Sequence, residues 1–133
     1  MPDDRMDGEL NRWVELWRTR GVGTWIAERD GEAVAFVALD PIGEGYPGVD
    51  PSAIELGAVV HPDHWGSAIA AEAGMAVALD CFDRAGLPVL YATVVPTNDR
   101  SLAAVAKVPG ARLVSSADDE LLYELPSPAP DDP

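Results

Sequence analysis

Between Ala70 and Ala85 the chain reads AAEAGMAVALDCFDRA, almost entirely small or apolar residues, and Gly86 closes the run. Alanine, leucine and methionine favour helix, and small side chains allow a helix to lie close against a sheet. β-like segments stand on both sides of it: Ala53 to His61, apolar and β-branched toward its end, and Pro88 to Val95. A buried helix between two strands places the chain in the α/β (α+β) class.

The rest of the sequence supplies the flanking elements. From Asp7 to Arg20, Leu10, Trp13, Val14, Leu16 and Trp17 recur at helical spacing, with Asp7 as the expected N-cap and Gly21 as the stop. Thr24 to Arg29 and Ala33 to Leu39 read as strands joined by Asp30-Gly31, the strongest hairpin signal present. Three prolines and three glycines break Asp40 to Pro51 into a loop. Asn98 opens a helix to about Val108 that Pro109-Gly110 ends, and Leu113 to Ser116 with Leu121 to Leu125 form a last hairpin. At 133 residues this is one domain, 1–125, followed by a Pro/Asp-rich tail, 126–133, expected to be disordered.

Charge and cysteine content exclude several functions. Nine basic against 23 acidic residues give a net charge of −14, which repels nucleic acid and anionic membranes and attracts an amine-bearing, cationic partner, although much of the charge is a solvated surface. No window of 18 apolar residues occurs and the start, MPDDRMDGEL, is acidic, so a cytoplasmic protein is expected. The single cysteine, Cys81, lies on an apolar helix face and reads as a buried thiol. His61, His64 and the scattered acids lack ligand spacing, so no metal is expected.

Two segments, IELGAVVHPDHWGSAIAAEAGMAVALDCF and LYATVVPTNDRSLAAVAKVPGARLV, carry a family likeness. Glu55-Leu56-Gly57, His61-Pro62, Trp65-Gly66-Ser67-Ala68-Ile69-Ala70, Glu72-Ala73 and then Asn98, Ser101, Lys107 and Gly110 resemble the RimJ/RimL-like branch of the GNAT acetyltransferases. The likeness extends over about Leu10 to Leu125. It implies a mixed, mainly antiparallel central sheet flanked by helices. In that fold the strand ending at His61 and the strand Pro88 to Val95 run parallel and splay apart. Relatives begin with a further strand and helix, which are expected to be missing here. That leaves a sheet edge to cover, and with it the expectation of a homodimer.

The resemblance implies acetyl-CoA as co-substrate and acetyl transfer to a primary amine. A loop of small residues entering a helix exposes backbone N–H groups toward a pyrophosphate. The cofactor-binding residues are accordingly Val59, Val60, His61, Trp65, Gly66, Ser67, Ala68, Ile69, Ala70, Ala71, Asn98, Arg100 and Ser101. The catalytic pair is Glu55, as general base toward the acceptor amine, and Ser101, which replaces as acid a tyrosine whose position is Val105 here. Ala68 stands where the family has a second loop glycine, which requires that the backbone there need no positive φ. The alternative function is an inactive CoA-binding or protein-interaction module on the same fold.

Overall fold

A computed structural model describes residues 4–65 and 68–128. Helix α1 spans Asp4–Arg20. Asp7 is therefore inside the helix and is not its N-cap, because helix formers extend the pattern upstream of it. Gly21, at φ +69, ends the helix with its N–H bonded to the Trp17 carbonyl at 3.0 Å, the left-handed close that glycine adopts without strain.

Strands β1 (Trp25–Arg29) and β2 (Glu32–Pro41) form the expected hairpin. Asp30 and Gly31 both have positive φ, 53° and 82°, as a type I′ turn requires. They are followed by β3 (Ile54–Val60), α2 (Ile69–Asp83), β4 (Val89–Val94), α3 (Asp99–Ala106), β5 (Arg112–Ser116) and β6 (Leu121–Pro126). The sheet order is β1-β2-β3-β4-β6-β5. Every neighbouring pair is antiparallel except β3 and β4, which run parallel across the α2 crossover.

One boundary needs correction. Pro126, expected as the first residue of the tail, is the last of β6: it stands opposite Val89, and the Ser127 N–H reaches the Pro88 carbonyl at 3.0 Å. A proline is tolerated at a strand end, where its missing N–H removes little of the ladder. The remainder of the expected tail, 129–133, lies outside the described residues.

The main core occupies one face of the sheet. Val37, Leu39, Ile54, Leu90, Ala92 and Leu125 point to that face and meet Leu16 of α1 and Val77, Ala78, Cys81 and Phe82 of α2, with Val105 of α3 at the margin. Leu39, Ile54 and Leu90 are almost wholly enclosed, each contributing about 1.5–3 kcal/mol on burial. The close approach of α2 is the packing its small residues predict. Over the other face the loop 42–53 sends Ile42, Tyr46 and Val49 onto Tyr91 and Leu122. This second face carries the polar residues described next.

Candidate active site

The parallel junction sets the geometry. β3 and β4 share one ladder pair, Glu55↔Tyr91, whereas β3 pairs with β2 along its whole length. Beyond Glu55 the two strands part, and Gly57, Ala58 and Val59 are exposed in the gap. Glu55 thus stands at the head of the gap, on the face away from the main core. It is half-buried, and its Oε1 accepts a 2.6 Å hydrogen bond from Thr93 Oγ1. The carboxylate is held in place by a neutral hydroxyl.

At the open end of the gap are the residues expected to hold the cofactor. Val60 is half-buried, and its carbonyl accepts the Trp65 indole N–H at 2.8 Å. That bond gives the exposed Trp65 ring a fixed position over the strand end. The His61 N–H bonds the Val34 carbonyl at 2.8 Å, while its ring turns outward and Nδ1 accepts the Asp63 N–H at 3.2 Å. With its N–H bonded to Val34 and its carbonyl accepting the His64 N–H at 2.9 Å, His61 has both main-chain groups engaged away from the gap. Gly66 and Ser67 lie outside the described residues.

Ala68 occupies the N-cap of α2 with φ −82, so its methyl group is compatible with the turn and the absent glycine costs nothing in backbone strain. Its side chain supplies no cap bond. The amides of Ala70 and Ala71 stand in the first turn of a helix whose dipole favours an anion. Ile69 is buried, packed with Val34 and Ala35, so only its backbone can face a ligand. A strand gap leading to this helix end suits a long, thin pantetheine with a pyrophosphate at its far end. Acidic Glu72 in the same turn is exposed.

After β4 the chain turns into α3. Asn98 caps that helix, its side chain accepting from the Ser101 N–H at 3.1 Å. Ser101 is half-buried and Arg100 exposed. The expected residues therefore fall into two groups, one after β3 and one after β4, both at the C-terminal ends of the diverging strands.

A second feature was not foreseen. A cleft of about 310 Å³ lies between the loop residues Tyr46 to Val49 and β5 and β6, and Tyr91, Arg112, Ser115 and Glu124 also line it. Arg112 pairs with Glu124 at 3.2 Å, and the Tyr91 hydroxyl donates to the other oxygen of Glu124 at 3.4 Å. The Tyr46 hydroxyl donates to Glu120 at 2.6 Å, tying the loop to the β5–β6 turn. The bond to Glu120, then burial, then repulsion from Glu120 and Glu55, push the Tyr46 phenol up to about 12. Burial first, then Glu124, raises Tyr91. The available signal was alternation: Tyr91 and Thr93 are the polar members of an otherwise apolar strand, both on the Glu55 face.

The thiol of Cys81 is wholly buried and pushed up to about 11 by desolvation, so it is not a nucleophile. Among the described residues no cluster of histidine, cysteine or carboxylate groups could hold a metal, and no helix is long and apolar enough to cross a membrane.

Solved structures share this architecture. An acetyltransferase from Agrobacterium tumefaciens is 24% identical, covers 93% of this chain and 72% of its own, and superposes with a TM-score of 0.69. A Bordetella pertussis protein assigned to the GNAT family is 23% identical, with 93% and 77% covered and a TM-score of 0.78. RimJ of Mycobacterium smegmatis is 24% identical, with 92% and 61% covered and a TM-score of 0.67. At these identities the likeness speaks for the fold alone. No curated protein matches the sequence. Residues 1–109 match the family model described as Acetyltransferase (GNAT) domain. With most of its length inside that match and the splayed parallel junction in place, the chain belongs to the GNAT acetyltransferase family.

Proposed function

We propose that this chain is an acetyl-CoA-dependent N-acetyltransferase of the RimJ/RimL-like branch, acting in the cytoplasm on a primary amine by direct attack. The supporting observation is the position of Glu55, the last residue paired across the β3–β4 junction, its carboxylate fixed by Thr93 where the strands open. The related RimJ of Mycobacterium smegmatis was solved in complex with CoA-disulfide.

When bound, acetyl-CoA supplies the activated thioester. Val60 would offer its backbone N–H to the pantetheine along the gap, Val59 beside it being paired through its backbone with Phe36 and able to offer its exposed side chain, and the amides of Ala70 and Ala71 would face the pyrophosphate with the α2 dipole behind them. Arg100 would supply the cation for a CoA phosphate, and Asn98 would contact the pantetheine arm through its amide while capping α3. Glu55 takes the proton released as the amine attacks. Ser101 returns one to the departing sulfur in place of the tyrosine lost at Val105. The backbone N–H of Val60 or a neighbour polarises the carbonyl.

The test is thiol release from acetyl-CoA over a panel of primary amines, with Glu55→Gln beside the wild type. Turnover should fall by roughly 10²- to 10⁴-fold, the usual share of a general base, with acetyl-CoA affinity unchanged. Full activity in the glutamine variant would remove Glu55 from the mechanism.

A further inference from the structure

The cleft and Glu55 share the outer sheet face, with Tyr91, which lines the cleft, paired to Glu55. Across the outer sheet face a single row runs through the strand register: Glu55 opposite Tyr91, Tyr91 opposite Glu124, and Glu124 opposite Arg112. Strands lie about 4.8 Å apart, so Glu55 and Glu124 are about 10 Å apart along the row, with the Tyr91 ring between them. Tyr46, on the loop wall of the cleft, is close enough to Glu55 to feel its charge. A molecule seated at the Arg112–Glu124 pair and extending past Tyr91 would bring its other end toward the Thr93-held carboxylate, one strand beyond the cleft lining.

That far end is chemically two-sided. Among the described lining residues it offers one guanidinium and one carboxylate, joined through a single contact from Arg112 Nη2. Arginine carries five N–H donors in a rigid fork, so Arg112 keeps donors for a ligand carboxylate, and Glu124 can accept from a ligand ammonium. The complement is a zwitterionic α-amino-acid head. Val49, Val114 and Leu122 with the Tyr91 ring give an apolar bed for a short methylene chain. At about 310 Å³ the cleft is at the small end of metabolite pockets, a size that suits a single amino acid.

We propose that the acceptor is a free diamino acid of the ornithine or lysine type, its α-amino-acid head held by Arg112 and Glu124 and its side-chain amine delivered to Glu55. This rests on the acetyltransfer reading above and narrows its acceptor. The side-chain nitrogen forms a C–N bond to the acetyl carbon as the C–S bond of acetyl-CoA breaks. The amine proton passes to Glu55, the sulfur takes up a proton, and the products are the ω-N-acetyl amino acid and free CoA.

Three measurements on the full chain test it. In thiol-release assays, L-ornithine or L-lysine should exceed cadaverine, which lacks the carboxylate, and 6-aminohexanoate, which lacks the α-amine, by about tenfold or more in kcat/KM, as expected for loss of one charge-assisted contact. Mass fragmentation should place the acetyl group on the side-chain nitrogen. Arg112→Gln should bring the lysine-to-cadaverine ratio toward one. Calorimetric titration of L-ornithine against putrescine, and of L-lysine against cadaverine, without acetyl-CoA should show the same preference as affinity. Equal rates across the panel, a preference for peptide N-termini, acetyl on the α-nitrogen, or a ratio unmoved by Arg112→Gln would each overturn the assignment. Selective ornithine binding with no thiol release would uphold the pocket while refuting the acetyltransfer reading.

Discussion

Replacing Thr93 by valine removes one oxygen from the site and leaves a β-branched side chain of the same shape on a paired strand. The lost bond is a short hydroxyl-to-carboxylate contact of 2.6 Å. Bonds to a charged group contribute about 1.5–3 kcal/mol, which at about 1.4 kcal/mol per decade bounds the rate loss between roughly 10- and 150-fold. If Thr93 acts only by aiming Glu55, kcat falls within that range, KM for acetyl-CoA stays put, and Thr93→Ser, which keeps the hydroxyl, recovers most of the rate. The decisive measurement is a double-mutant cycle by thiol release. In the Glu55→Gln background there is no base to aim, so Thr93→Val should cost less than about twofold there, the strong coupling expected of residues in direct contact. The same fold-loss in both backgrounds would show that Thr93 works through strand packing and would refute its link to Glu55.

Other outcomes follow from the same geometry. Acetyl-CoA at 100 times its dissociation constant should stabilise the fold by about 2.7 kcal/mol, raising the thermal midpoint by roughly 10 °C for a domain of this size, and no shift at millimolar ligand would contradict a CoA site. In an ultraviolet titration Tyr46 should ionise near 12, and Glu120→Gln should bring it back toward 10, since the bond to Glu120 is the largest cause of the shift. Because the folded state holds this proton more tightly than the unfolded chain, the contribution of Tyr46 to stability is complete below pH 10 and is lost as pH rises through about 12. Gly23→Ala would place a Cβ 2.3 Å from the Trp17 ring, which packs edge-on against Trp25 at 5.3 Å beneath the Arg84 guanidinium. The clash should cost about 1–3 kcal/mol in urea unfolding, and a smaller residue at position 17 should relieve it.

How legible the molecule was depends on the range of the interactions involved. The Asp30-Gly31 turn, the α2 run and the Asn98 cap are local, and each formed within a residue or two of its expected limits. Asp7 was misplaced because a helix start signal competes with helix formers upstream, and Pro126 because composition alone separated strand from tail. Glu55 and the proposed cofactor residues were singled out by motif, but their arrangement was not: the single Glu55↔Tyr91 pair is a property of the parallel junction, which no local pattern encodes. The Arg112–Glu124 contact escaped for the same reason, since it unites residues on separate strands whose register is known only once the sheet is built.

The row across the outer face also sets Glu55, the proposed base, apart from its neighbouring carboxylates. Register places Asp40 opposite Glu55 on one side, and Tyr91 and then Glu124 on the other. Asp40 has Arg12 at 3.6 Å and Glu124 has Arg112 at 3.2 Å, so both outer carboxylates have a guanidinium beside them. Among the described residues no cation pairs with Glu55; its hydrogen-bond donor is a neutral hydroxyl. Placing an arginine at Thr93 would erase this distinction. Thr93→Lys or Thr93→Arg should therefore reduce turnover at least as far as Glu55→Gln, even though the carboxylate remains.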